Sequence, residues 1–318
     1  MKFPSESLVL QALQSTLHRL SPHHPQYPLI LQKLRSKEAG IAGEKRVQDI
    51  FRKTIFPIEN RVFHDLSLQT STTFQMDSIF LTEAFATIFE VKNIAGNLSF
   101  KEHPPQLIRE KATGEIDSFE SPASQVTRYV ELFQEWLEQR DIQLPIFGVV
   151  VLAYPKQIVK EPPKTCKVIF PNLIPSYIKS IKPFPHKIDL HTLDALATDL
   201  LSSHKEYIPK PICESYSIPK EDIQPGVRCL ACGFIGMLKI PRSWHCPHCL
   251  TNDASAHIST VKDWFLIIGR NMSNRECRAF LQLEEDRYSA MRLLKSMNLP
   301  SSGTFRDRTY QYNFFNSI

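Results

Sequence analysis

Two groups of side chains in this sequence have the types and spacing to do chemistry. The first is Glu90-Val91-Lys92, inside the β-branched and aromatic run ATIFEVKNI at 86–94. Residues two apart on a strand project from the same face, so Glu90 and Lys92 form a charged pair on a surface that Ile88 and Ile94 otherwise keep apolar. A second run, FQMDSIFLT at 74–82, is separated from it by a short turn at 83–85. That spacing predicts a hairpin and brings Asp77 within reach of Glu90. Two carboxylates suit a hard divalent cation, Mg²⁺ or Mn²⁺, with waters completing its shell. Such a cation acidifies a bound water and polarises a phosphoryl oxygen, while an ammonium beside it orients that water, offsets charge building on phosphorus, or serves as the base. The residues alone leave those roles of Lys92 open. Phosphodiester hydrolysis needs these parts. A third carboxylate, Glu44, shares a helical face with Val47 and Phe51, where a charge is costly unless it has a partner such as a metal site.

The second group is Cys229-x2-Cys232 and Cys246-x2-Cys249, separated by 13 residues. This is the ligand count and spacing of a zinc ribbon or four-cysteine finger. Four thiolates close a tetrahedral shell, so the Zn²⁺ is expected to be structural and to contribute on the order of 10 kcal/mol to folding so short a segment. An iron–sulfur cluster or a redox dithiol pair are the competing chemistries, and His245 and His248 stand next to ligand positions. The remaining cysteines, Cys166, Cys213 and Cys277, are scattered, and an odd total of seven does not read as a disulfide framework.

The elements that must position these groups follow from periodicity and punctuation. Residues 5–20 read as an amphipathic helix ended by SPHHPQYP, a second helix begins near Leu29, and 37–53 is helical up to Pro57. RVFHDLSL at 61–68 reads as a strand, and the hairpin of 74–82 and 86–94 follows. Past a loop with prolines at 104 and 105, SPASQVTRYVELFQEWLEQ is a helix with Ser121 as its cap and Pro122 at its first position, leading into the buried strand PIFGVVVLAY. From 155 to about 225 the chain is proline-rich, with a helical island at 191–203. Near the C-terminus come a helix at 257–270, a second at 273–283 opened by the capping pair Ser273 and Glu276, and a third at 285–298. A hairpin-like alternation follows at 301–314. Three helices plus a wing suggest a winged helix-turn-helix, with Arg292 and Lys295 on the third helix and Arg306 and Arg308 on the wing as nucleic-acid contacts. A small helical dimerisation domain is the other reading of this segment.

A helix with an inward Glu44, a strand with Asp77, a strand with Glu90 and Lys92, and then a helix opening with Gln125 resembles the layout of the PD-(D/E)xK nuclease superfamily. More narrowly it is similar to the NERD (nuclease-related) domain, on AGIAGE (39–44), FHDLSL (63–68), QMDSIFLT (75–82), FEVKN (89–93) and SPASQ (121–125). The resemblance covers roughly residues 37–205. It implies divalent-metal nuclease chemistry, with Glu44, Asp77, Glu90, Lys92 and Gln125 at the family's motif positions and Asp77 and Glu90 as Mg²⁺ ligands. The family usually has His after the motif Asp, where this chain has Ser78, and Gly in the hairpin turn, where it has Glu83-Ala84-Phe85. Met76 stands where the superfamily's name has Pro.

The expected architecture is therefore α/β: a PD-(D/E)xK nuclease-like core, a mixed central sheet flanked by helices, followed by two small C-terminal modules. The boundaries are a helical extension at 1–36, the nuclease-like domain at 37–205, a linker at 206–226, the zinc ribbon at 227–254 and the winged-helix-like domain at 255–318. The net charge of +5 is uneven, because residues 226–318 hold 12 Lys/Arg against 7 Asp/Glu while the rest is balanced. A basic terminal third suits a module that holds a polyanion. No apolar run approaches the roughly 20 residues of a membrane helix, and the N-terminus lacks a signal-peptide pattern, so a cytoplasmic protein is expected. DNA is the expected partner, with RNA as a further substrate class; oligomeric state is not readable. A non-catalytic nucleic-acid-binding or regulatory protein on the same fold is the alternative. Retention of the whole Glu44, Asp77, Glu90 and Lys92 set favours catalysis.

Overall fold

The computed structural model describes residues 6–154, 156–182, 184–185, 187–283, 288–304 and 307–315. Two helices open the chain, α1 (Leu8–Arg19) and α2 (Tyr27–Lys53). The second is one continuous helix where periodicity suggested two: Pro28 falls in its first turn, where a missing N–H costs nothing, and Gly40 and Gly43 lie inside it without breaking it. The chain forms two compact units, Ser36–Tyr207 and Glu6–Arg35 with Ile208–Ile318. Among the described residues no helix is long and apolar enough to cross a membrane.

The first unit is built on a five-stranded mixed sheet. β1 (Asn60–Gln69), β2 (Thr73–Thr82) and β3 (Ala86–Lys92) form an antiparallel meander. Three further strands, β4 (Asn97–Glu102), β5 (Pro105–Glu110) and β6 (Ile116–Glu120), lead to helix α3 (Pro122–Glu138) and strand β7 (Ile146–Leu152). β7 lies parallel to β3, and β8 (Ile158–Glu161) precedes β9 (Lys167–Ile169), which lies parallel to β7. The main sheet has the order β1-β2-β3-β7-β9. Helices α4 (Ile174–Ser180) and α5 (Leu190–Ser203) complete the unit. Alternation along β3 and β7 decides which helix covers which face. Ile88, Val150 and Leu152 pack with Val126, Phe133 and Leu137 of α3 and Leu196 of α5. Phe89, Val91, Val149 and Val151 pack with Val47 and Phe51 of α2 and Ile174 of α4. The parallel strands are thus covered on both sides, which is why they read as unbroken apolar runs.

Residues 95–120, expected to be a loop because of Pro104 and Pro105, instead form most of a second sheet of order β6-β5-β4-β8. The two prolines sit at the β4–β5 turn and the first strand position, places that demand no ladder N–H, while Leu98, Phe100 and Leu107 bury one face.

The second unit draws on both ends of the chain. Its core joins Ala12 and Leu13 of α1 and Ile212 of α6 (Ile212–Tyr216) to residues of the cysteine module. That module is a three-stranded sheet of β10 (Leu238–Ile240), β11 (Ser243–His245) and β12 (Asn252–Asp253). Helix α7 (Ala256–Ile267), β13 (Met272–Ser273), α8 (Asn274–Leu281), α9 (Ser289–Ser296), β14 (Ser301–Ser302) and β15 (Thr309–Tyr310) follow, the last three strands forming a sheet of order β13-β15-β14. Cys229, Trp244 and Cys246 share one core cluster with Phe265, Phe280 and Leu294. The stretch 206–226, read as a linker, contains α6 and buries Ile212, Ile218 and Ile223 in that cluster. Ser273 and Glu276 form the capping box expected at the start of α8.

One charged residue holds α1 in this core. Arg19, 1% exposed, donates from Nε to Asp263 Oδ2 at 3.0 Å and from Nη1 to the carbonyls of Gln224 and Gly226 at 3.1 and 3.0 Å. Its guanidinium lies 4.9 Å from the centre of the Phe280 ring. Removing one partner of a buried pair strands the other charge. Arg19→Ala is therefore expected to destabilise the second unit by about 3–5 kcal/mol. Urea unfolding followed by tryptophan fluorescence reads this, and a loss under about 1 kcal/mol would contradict the assignment.

Candidate active site

The site lies where β3 and β7 end side by side: the N–H of Ala153 closes on the carbonyl of Lys92 at 2.9 Å. The pairing of β2 with β3 stops at Ser78↔Phe89. Just beyond it, Asp77 Oδ2 accepts the backbone N–H of Val91 at 2.7 Å, satisfying a donor that β2 has left open. Glu90 is 2% exposed, and its Oε1 accepts from Lys92 Nζ at 2.5 Å. Lys92 Nζ also donates to Gln125 Oε1 at 3.0 Å, so the first turn of α3 is tied to the end of β3. Asp77, Glu90, Lys92 and Gln125 therefore meet in one place.

Glu44 reaches the same place from α2, and Gly43 is what lets it. A Cβ at Gly43 would lie 2.6 Å from Asn93 Cβ, so only glycine allows the helix this close to the strand ends. Asn93 Nδ2 donates to the carbonyl of Ala39 at 2.7 Å, and Arg46 donates to the carbonyl of Ala153 at 2.7 Å, fixing the contact.

The electrostatics record how close these groups are. Burial, then the charge of Asp77, pushes the Glu90 carboxyl up to about 8, against the pull of Lys92. Burial and Asp77 likewise push Glu44 up to about 7. Asp77 is also raised, chiefly by burial, with Lys92 and the Val91 N–H opposing. For Lys92, burial works against the charge, yet Glu90 and Asp77 outweigh it and hold the ammonium above its usual range. Glu90 Oε2 is buried with no hydrogen-bond partner. An orphaned carboxyl oxygen among like-charged neighbours is what a divalent cation would satisfy, so the residues present fit such an ion.

Three contributors were not singled out from the sequence. Tyr129, one turn after Gln125 on α3, accepts from Gln125 Nε2 at 2.8 Å and so orients the amide toward Lys92. The i, i+4 spacing from Gln125 was the available signal. Asp65 lies across from Asp77 in the unshifted β1–β2 register, between the pairs His64↔Ser78 and Leu66↔Met76, and its backbone takes a left-handed φ of 53°. It accepts from Gln75, and its charge adds to that of the neighbours in raising Glu44 and Asp77. Lys37 of α2 opposes both shifts. The two departures from the family pattern also have local accounts. Ser78 Oγ meets Nδ1 of its cross-strand neighbour His64 at 2.8 Å. In the hairpin turn Thr82 Oγ1 accepts from the N–H groups of Ala84 and Phe85 at 3.1 and 3.0 Å, so a side chain ties the turn where the family usually has glycine.

In the second unit the sulfurs of Cys229, Cys232, Cys246 and Cys249 all lie within 4.8 Å of one another. The pairs Cys229–Cys249 and Cys232–Cys246 are 3.6 Å apart, too far for disulfides and close to the roughly 3.8 Å that a tetrahedral zinc with bonds of about 2.3 Å imposes. His245 is engaged with Asn252 and His248 stacks on Phe234, so neither is needed as a ligand. Arg292 and Lys295 are exposed on α9, Arg308 is half-buried beside β15, and Arg306 lies outside the described residues.

Residues 39–153 match the family model of the nuclease-related domain, NERD. That stretch of the chain is a nuclease-related domain, and it contains Glu44, Asp77, Glu90, Lys92 and Gln125. No curated protein and no solved structure matches the chain.

Two outcomes are expected. Glu44 and Glu90 bind protons in the folded state that the unfolded chain releases, so their contribution to stability falls as pH rises from 4.5 toward 8. A cation competing for the same oxygens should then raise the melting temperature more at about pH 8 than at about pH 6. Asp77→Asn should abolish that difference, and equal Mg²⁺ shifts at both pH values would contradict it. Elemental analysis should find one zinc per chain, lost together with the cooperative unfolding of the second unit in Cys246→Ser protein. A metal-free wild type with the same stability would refute the tetrathiolate reading.

Proposed function

We propose that this protein is a metal-dependent deoxyribonuclease whose PD-(D/E)xK-type core hydrolyses phosphodiester bonds, held on DNA by its zinc ribbon and its helix-turn-helix-like segment. The observation that carries the reading is the convergence of Asp77 and Lys92 on the buried Glu90 carboxyl, with Glu90 Oε2 unsatisfied. Held between Asp77 and Glu90, Mg²⁺ or Mn²⁺ would supply an acidified water and polarise the phosphoryl oxygen.

The chain's own groups take distinct parts. Lys92 spends two of its three donors on Glu90 and Gln125, which fixes the ammonium and leaves the third N–H for the water or the phosphoryl oxygen. Its raised pKa keeps it charged at neutral pH, which favours electrostatic stabilisation over proton abstraction. Glu44, pushed to about 7, is the carboxyl whose pKa suits proton exchange near neutrality. Gln125 and Tyr129 position Lys92. In the second unit, helices α7 to α9 and the small sheet of β13 to β15 resemble a winged helix-turn-helix in order and size, which supports DNA as the partner.

The full chain with Mg²⁺ or Mn²⁺ is expected to nick or cut plasmid DNA. Asp77→Ala and Lys92→Ala should each lower the rate by about 100-fold or more while DNA affinity is retained. Assays on single-stranded DNA, duplex DNA and RNA define the substrate. A wild type inert on all of them would replace this reading with that of a non-catalytic nucleic-acid-binding protein on a nuclease fold.

A further inference from the structure

The hairpin of β10 and β11 turns at Pro241-Arg242, between the register partners Ile240 and Ser243. Proline fixes its own φ, and Arg242 adopts φ of 59°, a left-handed conformation that side chains other than glycine enter only when the surroundings impose it. One residue from the turn, Lys239 Nζ donates to the carbonyls of Ile240 and Ser243, both at 3.0 Å, and sits 5.2 Å from the centre of the Trp244 ring. Those contacts hold the ammonium in place without cancelling its charge, and a third donor remains. Burial pulls its pKa down, a cost that a neighbouring anion would offset.

Facing this turn, α9 contributes Ser289, Arg292 and Leu293, and the two elements together line a cleft of about 460 Å³. Lys239, Arg242 and Arg292 supply three positive charges, and no acidic residue is among the described residues of the lining. Lys239, Arg242 and Arg292 are exposed and Ser289 is half-buried, so the cleft is open to a polymer. Its apolar walls are the aliphatic Ile240, Pro241 and Leu293. None of the described lining residues is aromatic, so this lining offers no platform on which an unpaired base could stack. Cations without stacking surface recognise backbone, whatever the sequence.

From this we infer that the ribbon turn and α9 form a single phosphate-binding cleft that takes the sugar–phosphate backbone of duplex DNA. The ribbon then contacts the nucleic acid itself. This rests on the reading of the second unit as a DNA holder and names the surface that does the holding.

The test uses the full chain without added divalent cation, fluorescently labelled duplexes of several sequences, and single-stranded DNA and RNA of equal length. Anisotropy is measured over a range of salt. Arg242→Gln and Lys239→Gln, each checked for unchanged zinc content and melting temperature, are expected to weaken duplex binding severalfold and equally for all sequences. Each should also reduce the slope of log affinity against log salt by about 0.9. Arg292→Gln probes the same cleft from α9, so a variant that fails to fold does not leave the question open. Unchanged affinity and slope in the folded variants would overturn the inference. So would wild-type binding confined to single strands or RNA, or no binding at all. Plasmid cleavage by the same proteins separates the two readings: an inert nuclease with intact cleft-dependent binding counts against the catalytic proposal alone.

Discussion

A carboxyl group taken out of water beside other carboxyls is stable only if something nearby restores what water supplied. Asp77, Glu90 and Glu44 impose that constraint on the first unit, and much of its local structure answers it. The N–H of Val91 is turned to Asp77 where β2 leaves β3, and Lys92 is pinned between Glu90 and Gln125. The remaining imbalance, an unpaired Glu90 oxygen and carboxyl pKa values of about 7 and 8, is a demand for positive charge that the chain leaves unmet. The fold supplies the reason the demand can persist: parallel strands covered on both faces, with helix α2 brought against their ends through Gly43.

The second unit solves a different problem. Its strands are two or three residues long and cannot support a sheet by themselves. Cys229, Trp244 and Cys246 instead belong to the core of α1, α7 and α8, and Trp244 Nε1 donates to His257 Nδ1 of α7 at 3.2 Å. The clustered cysteines, helix packing and the buried Arg19–Asp263 pair therefore share one core and are not separate modules.

What the sequence disclosed was whatever has a short-range signature. The hairpin of Asp77 and Glu90, the capped start of α3 at Ser121, the parallel strand at 146–152 and the cysteine knuckles all announce themselves within a few residues. The β4–β6 strands were hidden because two prolines outweighed a correct alternation of Leu98, Phe100 and Leu107. Tyr129 was not singled out, because its hydroxyl matters through Gln125. Asp65 acts through its place across from Asp77, which is set by cross-strand register and leaves no mark in composition. The placement of α1 with the C-terminal third depends on a pair 244 positions apart, and no window of sequence contains both members.

That last arrangement bears on how the molecule comes into being on the ribosome. Residues 36–207 are one uninterrupted stretch, able to collapse as soon as they emerge. The other unit must wait, because helix α1 is made before that stretch and the residues that cover it are made after it. During that interval the apolar stripe of α1 is without its native cover and is exposed to unproductive contacts.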